Sequence, residues 1–416
     1  MKFKPAKIYK AAVESQPSGP STSTNAQRPS ISGDFRSITG ISFDDRGDQV
    51  ITAGEDETFR LYGCKSGKQV TKYCYDLSLL TYNIRLIKTL YSKKYGVDLP
   101  RFTHKSTAIV HASTKEDDTI RYHSLHDNKY LQYFKGHKAK VISLEVSPID
   151  DGFMSGSMDK TVRLWDLRTP TCRGLLSLPA APIIAYDSTG IVFAVAVNNY
   201  HRILLYDQAN YDKAPFLVIE LEDPSLLRVT YPPRPIYITS MSFSSNGQYL
   251  LIGCSGNAHY VLDAFHGSMI AKLEGHIGLE RKSMSAPPII EATKGISGEE
   301  VTWTPDSKYV LGGSLDGRVL IWDLQNLPHR SESDRKLPPI QVAPLVALEG
   351  HPGPSRCVKF NPRFAMMCTA GNELVRLYSF ASQTIFWMKN KAFWLPDTSG
   401  DVDEIAKDLL RKRGPT

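Results

Sequence analysis

Two stretches of twelve residues, SGSMDKTVRLWD at 155–166 and GGSLDGRVLIWD at 312–323, align without a gap. An internal repeat constrains a fold more than any composition does, because each copy is a supersecondary unit that needs neighbours to bury its apolar face. Weaker copies stand at 52–63 (TAGEDETFRLYG), 115–124 (KEDDTIRYHS), 198–207 (NNYHRILLYD), 255–264 (SGNAHYVLDA) and 370–379 (AGNELVRLYS), which makes seven candidate units. Upstream of the units lie short apolar runs broken by polar turns, among them ISFDDRGDQVI, IAYDSTGIVFA and MSFSSNGQYLL. Strand, turn with Gly, Asp or Asn, strand is the signature of antiparallel hairpins. Only the tail at 401–413 carries a helical period.

The aromatic positions His123, Trp165 and Tyr206 are 42 and 41 residues apart, the period of the WD repeat. Other intervals run near 56 to 61 residues and imply insertions between blades. Gly-His pairs open repeats at Gly136-His137, Gly275-His276 and Gly350-His351, and Trp-Asp closes them at Trp165-Asp166 and Trp322-Asp323. The pattern implies a buried hydrogen-bonded set of Asp159, His137, Ser155 and Trp165 in the third blade. In the sixth, His276, Asp316 and Trp322 recur while Gly312 takes the place of the serine, so a partial network is expected there. Such a set stabilises a blade only when every buried polar member finds a partner.

The stretches at 89–104 (TLYSKKYGVDLPRFTH), 117–137 (DDTIRYHSLHDNKYLQYFKGH), 155–168, 205–216 (LYDQANYDKAPF) and 392–397 (AFWLPD) are more particular than a generic repeat. They resemble the WD-repeat subunit of the COMPASS histone methyltransferase complex, a family also found in RNA 3′-end processing and phosphatase assemblies. The resemblance implies an all-β, seven-bladed propeller over 1–396 with a C-terminal tail at 397–416. Residues 3–11 would supply the fourth strand of the last blade and close the ring, removing exposed sheet edges. Residues 14–33 are Ser/Pro-rich and read as a disordered loop. Two segments, 70–86 and 375–391, interrupt the family's run from strand to strand, either as unspliced intron sequence or as loop insertions. In the first case the third strand of the last blade would be Ala392 to Leu395 rather than Leu374 to Tyr378.

The resemblance also implies a function. It points to a non-catalytic scaffold in the nucleus, linking a histone H3 lysine-4 methyltransferase and its other subunits to transcribing RNA polymerase II through the phosphorylated polymerase tail. Membership of the cleavage and polyadenylation machinery with its phosphatase scaffold is the alternative, and a substrate receptor of a ubiquitin ligase is a third.

Composition narrows the classes independently. The net charge of +7 suits a nuclear protein, but no stretch concentrates it as a nucleic-acid arm would, so direct nucleic-acid binding is not expected. Six scattered cysteines without a C-x-x-C pair indicate neither a zinc site nor a disulfide framework. The longest apolar run, Ile191 to Val197, is far short of a membrane span, and no signal peptide is apparent at the start. No H-E-x-x-H, G-x-S-x-G or complete P-loop occurs, so no catalytic, cofactor-binding or metal-binding residues are assigned.

Binding residues are expected in loops, because the strands of a propeller are used up in packing. The second blade is richest, with Lys93, Lys94, Tyr95, Arg101, His104, His126, Asn128, Lys129 and Tyr130. Basic, aromatic and amide groups of this kind suit a short acidic or phosphorylated peptide. The same residues would equally serve to shape turns. The arginines two positions before the repeat aromatic, among them Arg60 and Arg121, either gather anions or pair locally along the blades.

Overall fold

A computed structural model describes residues 7–10, 37–64, 85–223, 236–278, 299–328, 330, 337–371 and 374–379. Among them the strands assemble into seven sheets, arranged as the blades of an all-β propeller. Five sheets each arise from one stretch of chain, and blade 5 adds a fifth strand from elsewhere. Blade 1 has strands Ile38–Phe43, Gln49–Gly54, Thr58–Gly63 and Arg85–Tyr91; blade 2 has Asp98–Phe102, Ala108–Ala112, Ile120–Ser124 and Lys129–Phe134. Blade 3 follows with Val141–Val146, Gly152–Ser157, Thr161–Asp166 and Thr169–Ser177, and blade 4 with Pro182–Tyr186, Val192–Val197, Arg202–Asp207 and Leu217–Glu220. Blade 5 comprises Ile238–Phe243, Tyr249–Cys254, His259–Asp263 and Met269–Leu273, and blade 6 Val301–Trp303, Tyr309–Gly313, Val319–Asp323 and Val346–Leu348. The last sheet joins both ends of the described chain: Cys357–Phe360, Met366–Ala370 and Leu374–Ser379 are completed by Lys7–Lys10, antiparallel to Leu374–Ser379.

Burial falls from the second strand of each blade outward. Second strands such as Gly152–Ser157 and Tyr249–Cys254 are buried at every position, because the faces of each sheet pack against the two neighbouring blades. Outer strands alternate, and Lys129–Phe134 exposes Lys129, Leu131 and Tyr133 while turning Phe134 inward. First strands of successive blades touch around the ring, blade 7 meeting blade 1 as blade 1 meets blade 2.

The repetition extends to the turns. Between first and second strands, Gly47, Gly190 and Gly247 occupy the left-handed region at φ near 70°, each donating its N–H to the residue three back. Blade 6 uses Ser307 for the same bend at φ 58°, with Ser307 N–H to Thr304 O at 2.9 Å. Glycine is favoured there because an L side chain strains the turn.

Blade 5 departs from the pattern. Ile340–Val342, from the link inside blade 6, runs parallel to Met269–Leu273 and covers its outer edge. That outer strand is buried along its whole length. Arg330 pins the link by donating to the carbonyls of Met269, Leu337 and Pro338 at 2.7, 2.9 and 2.7 Å.

Of the expected interruptions, Arg85 and Leu86 begin the fourth strand of blade 1, and Val375 to Ser379 lie within the third strand of blade 7. The loop at 14–33, the alternative strand at 392–395 and the tail at 397–416 lie outside the described residues.

Candidate functional site: blade networks, the blade 2 surface and the ring mouth

In blade 3 the hydrogen bonds fix a single direction. The Trp165 indole N–H donates to Ser155 Oγ at 2.8 Å, so the serine gives its own proton to His137 Nε2 at 2.7 Å. His137 Nδ1–H then donates to Asp159 Oδ2 at 2.9 Å. The carboxylate also accepts from the Thr161 hydroxyl at 2.6 Å, the Thr161 amide at 3.0 Å and the Lys138 amide at 3.0 Å. Burial works against ionised Asp159, but the Thr161, Lys138 and His137 hydrogen bonds hold it at about 2. Burial likewise keeps His137 below its ordinary value, so the pair is a neutral imidazole on a carboxylate rather than an ion pair. These four groups are consumed within the blade.

Blade 6 is wired differently. With no hydroxyl at Gly312, Trp322 donates to Glu274 O at 2.9 Å, and a Cβ at Gly312 would meet the indole at 2.7 Å. His276 Nε2 donates to Gly256 O at 2.9 Å, and its Nδ1 is buried without a partner. The ring lies flat on His259, centroids 4.0 Å apart, and both imidazoles stand edge-on to Trp322. The expected approach of Asp316 to His276 is absent: Asp316 accepts from the Arg318 amide and guanidinium instead. Sequence inspection also missed blade 7, where His351 Nε2 meets Thr369 Oγ1 at 2.8 Å. Thr369 stands where Ser155 does, a correspondence recoverable by aligning from Gly350-His351.

The residues singled out in blade 2 divide into three groups. Lys93, Lys94 and Tyr95 lie on the link entering the blade, with Lys93 over the Tyr91 ring at 5.8 Å and Lys94 over Tyr95 at 5.1 Å. Tyr95 meets Tyr130 edge-on at 5.6 Å, and Tyr130 Oη hydrogen-bonds Ser92 Oγ at 2.8 Å. Beneath them the buried Arg121 guanidinium stacks 3.6 Å from the Tyr95 centroid and forms a two-pronged pair with Asp117 at 2.9 and 3.1 Å. Local pairing therefore accounts for Arg121, as it does for Arg60 on Asp56. His126, Asn128 and Lys129 form the second group, on the turn between third and fourth strands, all exposed. Antiparallel connectivity puts that turn at the opposite end of the blade from the Lys93–Tyr95 link. Asn128 takes the left-handed conformation at φ 56° and bonds His123 Nε2 at 2.9 Å.

Arg101 and His104 form the third group, at the ring mouth. Arg101 pairs with Glu299, whose carboxylate is fully buried and also accepts the Ile41 amide at 2.6 Å, and with Glu145 at 3.4 Å. Glu299, outside any recognisable motif, thus ties the start of blade 6 to blades 1 and 2. A cavity of about 510 Å³ opens beside Arg101, lined by Ser42, Phe43, Asp44, Asp45, Glu145, Lys359 and Arg363 among others. Cations and carboxylates balance along its wall. Among the described residues no group of three or more His, Cys, Asp or Glu side chains is placed to hold a metal ion.

Fold and networks together define a WD-repeat propeller, and the model of the WD domain, G-beta repeat, matches residues 128–166 and 296–323. Over 360 residues, 86% of this chain and 90% of the relative, the sequence is 38% identical to WD repeat-containing protein 82 of Drosophila melanogaster. It is 33% identical over 360 residues to Set1 complex component swd2 of Schizosaccharomyces pombe, covering 81% of this chain and 91% of that one. It is 32% identical over 343 residues to COMPASS component SWD2 of Saccharomyces cerevisiae, covering 82% and 91%. The chain belongs to this family of WD-repeat proteins.

Proposed function

We propose that this protein is a non-catalytic scaffold subunit of a COMPASS-type histone H3 lysine-4 methyltransferase complex, working in the nucleus as a seven-bladed ring closed by its own N-terminal strand. The observation that carries the reading is similarity at 33% identity to a Set1 complex component across nine-tenths of that relative. Two features of the ring accord with it. The His-Asp pair at 137 and 159 is absorbed in holding Trp165, and the outer strands and loops leave side chains free for partners. The docking surface is placed on blade 2: Lys93, Lys94, Tyr95 and Tyr130 form one cluster, and His126, Asn128 and Lys129 a second at the other end of the blade. Arg101 and His104 hold the ring mouth, at the same end of the blade as the second cluster. An acidic or phosphorylated segment, such as the polymerase tail, would meet the exposed lysines with an aromatic wall behind them.

Affinity purification of the tagged protein from nuclei, followed by mass spectrometry, tests the reading. Recovery of the methyltransferase with its other subunits is expected. Recovery of the cleavage and polyadenylation machinery alone would replace it with the alternative.

A further inference from the structure

His104 is placed where a neutral histidine does not fit. It sits in the turn after the first strand of blade 2, with Nδ1 2.9 Å from Asp45 Oδ2 on the matching turn of blade 1. Its Nε2 lies 3.1 Å from Ser147 O and 3.2 Å from Asp150 O, both on the matching turn of blade 3. Carboxylate and carbonyl oxygens only accept, and a neutral imidazole carries a single N–H. In either neutral tautomer one ring nitrogen would turn its lone pair on oxygen lone pairs. Only the doubly protonated ring donates on both sides.

The surrounding charges agree. Asp45 is the one carboxylate on the ring; the Asp150 carboxylate is turned away to the Gly152 amide at 3.0 Å, and from blade 7 Arg363 reaches only the Asp45 carbonyl, at 3.3 Å. Asp44, beside Asp45, accepts the Gln49 amide, and Lys105 follows His104 in its own turn.

We propose that His104 is a doubly protonated latch that ties the turns of blades 1 and 3 to blade 2 around the ring mouth, and that loss of its proton opens the latch. The hydrogen bond to Asp45 is the main influence raising the proton affinity of His104, against a smaller effect of partial burial. With the folded value raised, the latch is complete below the ordinary histidine value of about 6.5 and fails as pH rises through the folded value. The neutral ring keeps one N–H and can hold blade 1 or blade 3, but not both. Asp45 lines the cavity, so the change alters the charge and shape of its rim.

Long-range proton–nitrogen NMR of the full chain, labelled at histidine nitrogens, tests this. At pH about 6 both ring nitrogens of His104 should give protonated shifts, with a midpoint above about 6.5 that falls by roughly one pH unit, tenfold in proton affinity, in Asp45→Asn. A single protonated nitrogen at that pH, or a midpoint indifferent to Asp45→Asn, overturns the proposal. The backbone amide shifts of Ile149 to Asp151 should move with the same midpoint in the wild type and stay flat in His104→Gln. An equal response in both proteins also overturns it, since the turn would then be following another group.

Discussion

Blades 3 and 6 share a twelve-residue pattern, but blade 6 lacks both hydroxyls of the blade 3 network, with Gly312 where Ser155 stands and Arg318 where Thr161 stands. In blade 3, Ser155 receives the indole proton and passes its own to His137, so four side chains form one directed chain ending on Asp159. In blade 6, Gly312 offers nothing to bond, and the same residue types disperse: Trp322 to a main-chain carbonyl, His276 onto His259, Asp316 out to Arg318. A polar network of this kind is cooperative, and removing its central member leaves the rest to find separate partners. The aromatic in the second position from the end is buried in both blades, so packing survives where the network does not.

The sharpest way to break the comparison is at the histidines. His137→Ala leaves the Ser155 hydroxyl without its acceptor and Asp159 without one of its donors in a buried setting, and should cost about 3 kcal/mol in denaturant unfolding. His276→Ala removes one hydrogen bond to a carbonyl and one ring stack, and should cost about half as much. Equal losses would show that the blade 3 network carries no cooperative stability.

Acid exposes the same histidines through a different reaction. Burial pushes His111 down to about 3 and His276 to about 4, and holds His259 and His137 below the ordinary value. The folded state therefore binds fewer protons than the unfolded chain, so these groups withdraw stability as pH falls below about 6.5, each by at most about 1.4 kcal/mol per pH unit. Unfolding midpoints measured from pH about 7 to about 4 should fall steadily, and His276→Gln should flatten the slope. An unchanged slope in that variant would mean His276 gains its proton without loss of structure.

Rebuilding the serine hydroxyl is a smaller perturbation. In Gly312→Ser the new Cβ arrives 2.7 Å from the Trp322 ring, so the indole must shift before any bond to Ser forms. A loss of about 1–2 kcal/mol is expected from the overpacking. A gain in stability would mean that the ring moves readily into the blade 3 arrangement.

Why blade 3 was legible in the sequence and blade 6 only in outline follows from the same chemistry. Repeat spacing, turn residues and the Gly-His and Trp-Asp pairs locate strands because each reports a local requirement of backbone or burial. Thr369 in blade 7 was overlooked because threonine offers the serine's hydroxyl under another letter. Contacts that join distant parts of the chain leave no such mark: Glu299 reaches Ile41 and Arg101 across the ring, and Ile340–Val342 crosses to the edge of blade 5. In blade 2 the sequence singled out residues without revealing how the fold groups them. Chain proximity placed His104 and Lys93 together, whereas antiparallel connectivity sends their turns to opposite ends of the blade.

The aspartates of the two turns give the gentlest comparison. Asp159 accepts four hydrogen bonds, from His137, Lys138 and the Thr161 amide and hydroxyl, and is largely buried in their midst. Asp159→Ala should cost about 2 kcal/mol, because His137 Nδ1–H is left in a dry site without an acceptor. Asp316 holds the Arg318 amide and an exposed guanidinium that water would solvate as well, so Asp316→Ala should cost under about 1 kcal/mol. Added salt separates the two further, since screening weakens the exposed pair and leaves the enclosed one nearly untouched. If thermal unfolding in high salt narrows the gap between the two variants, the stability of Asp159 would rest on long-range charge rather than on its four donors.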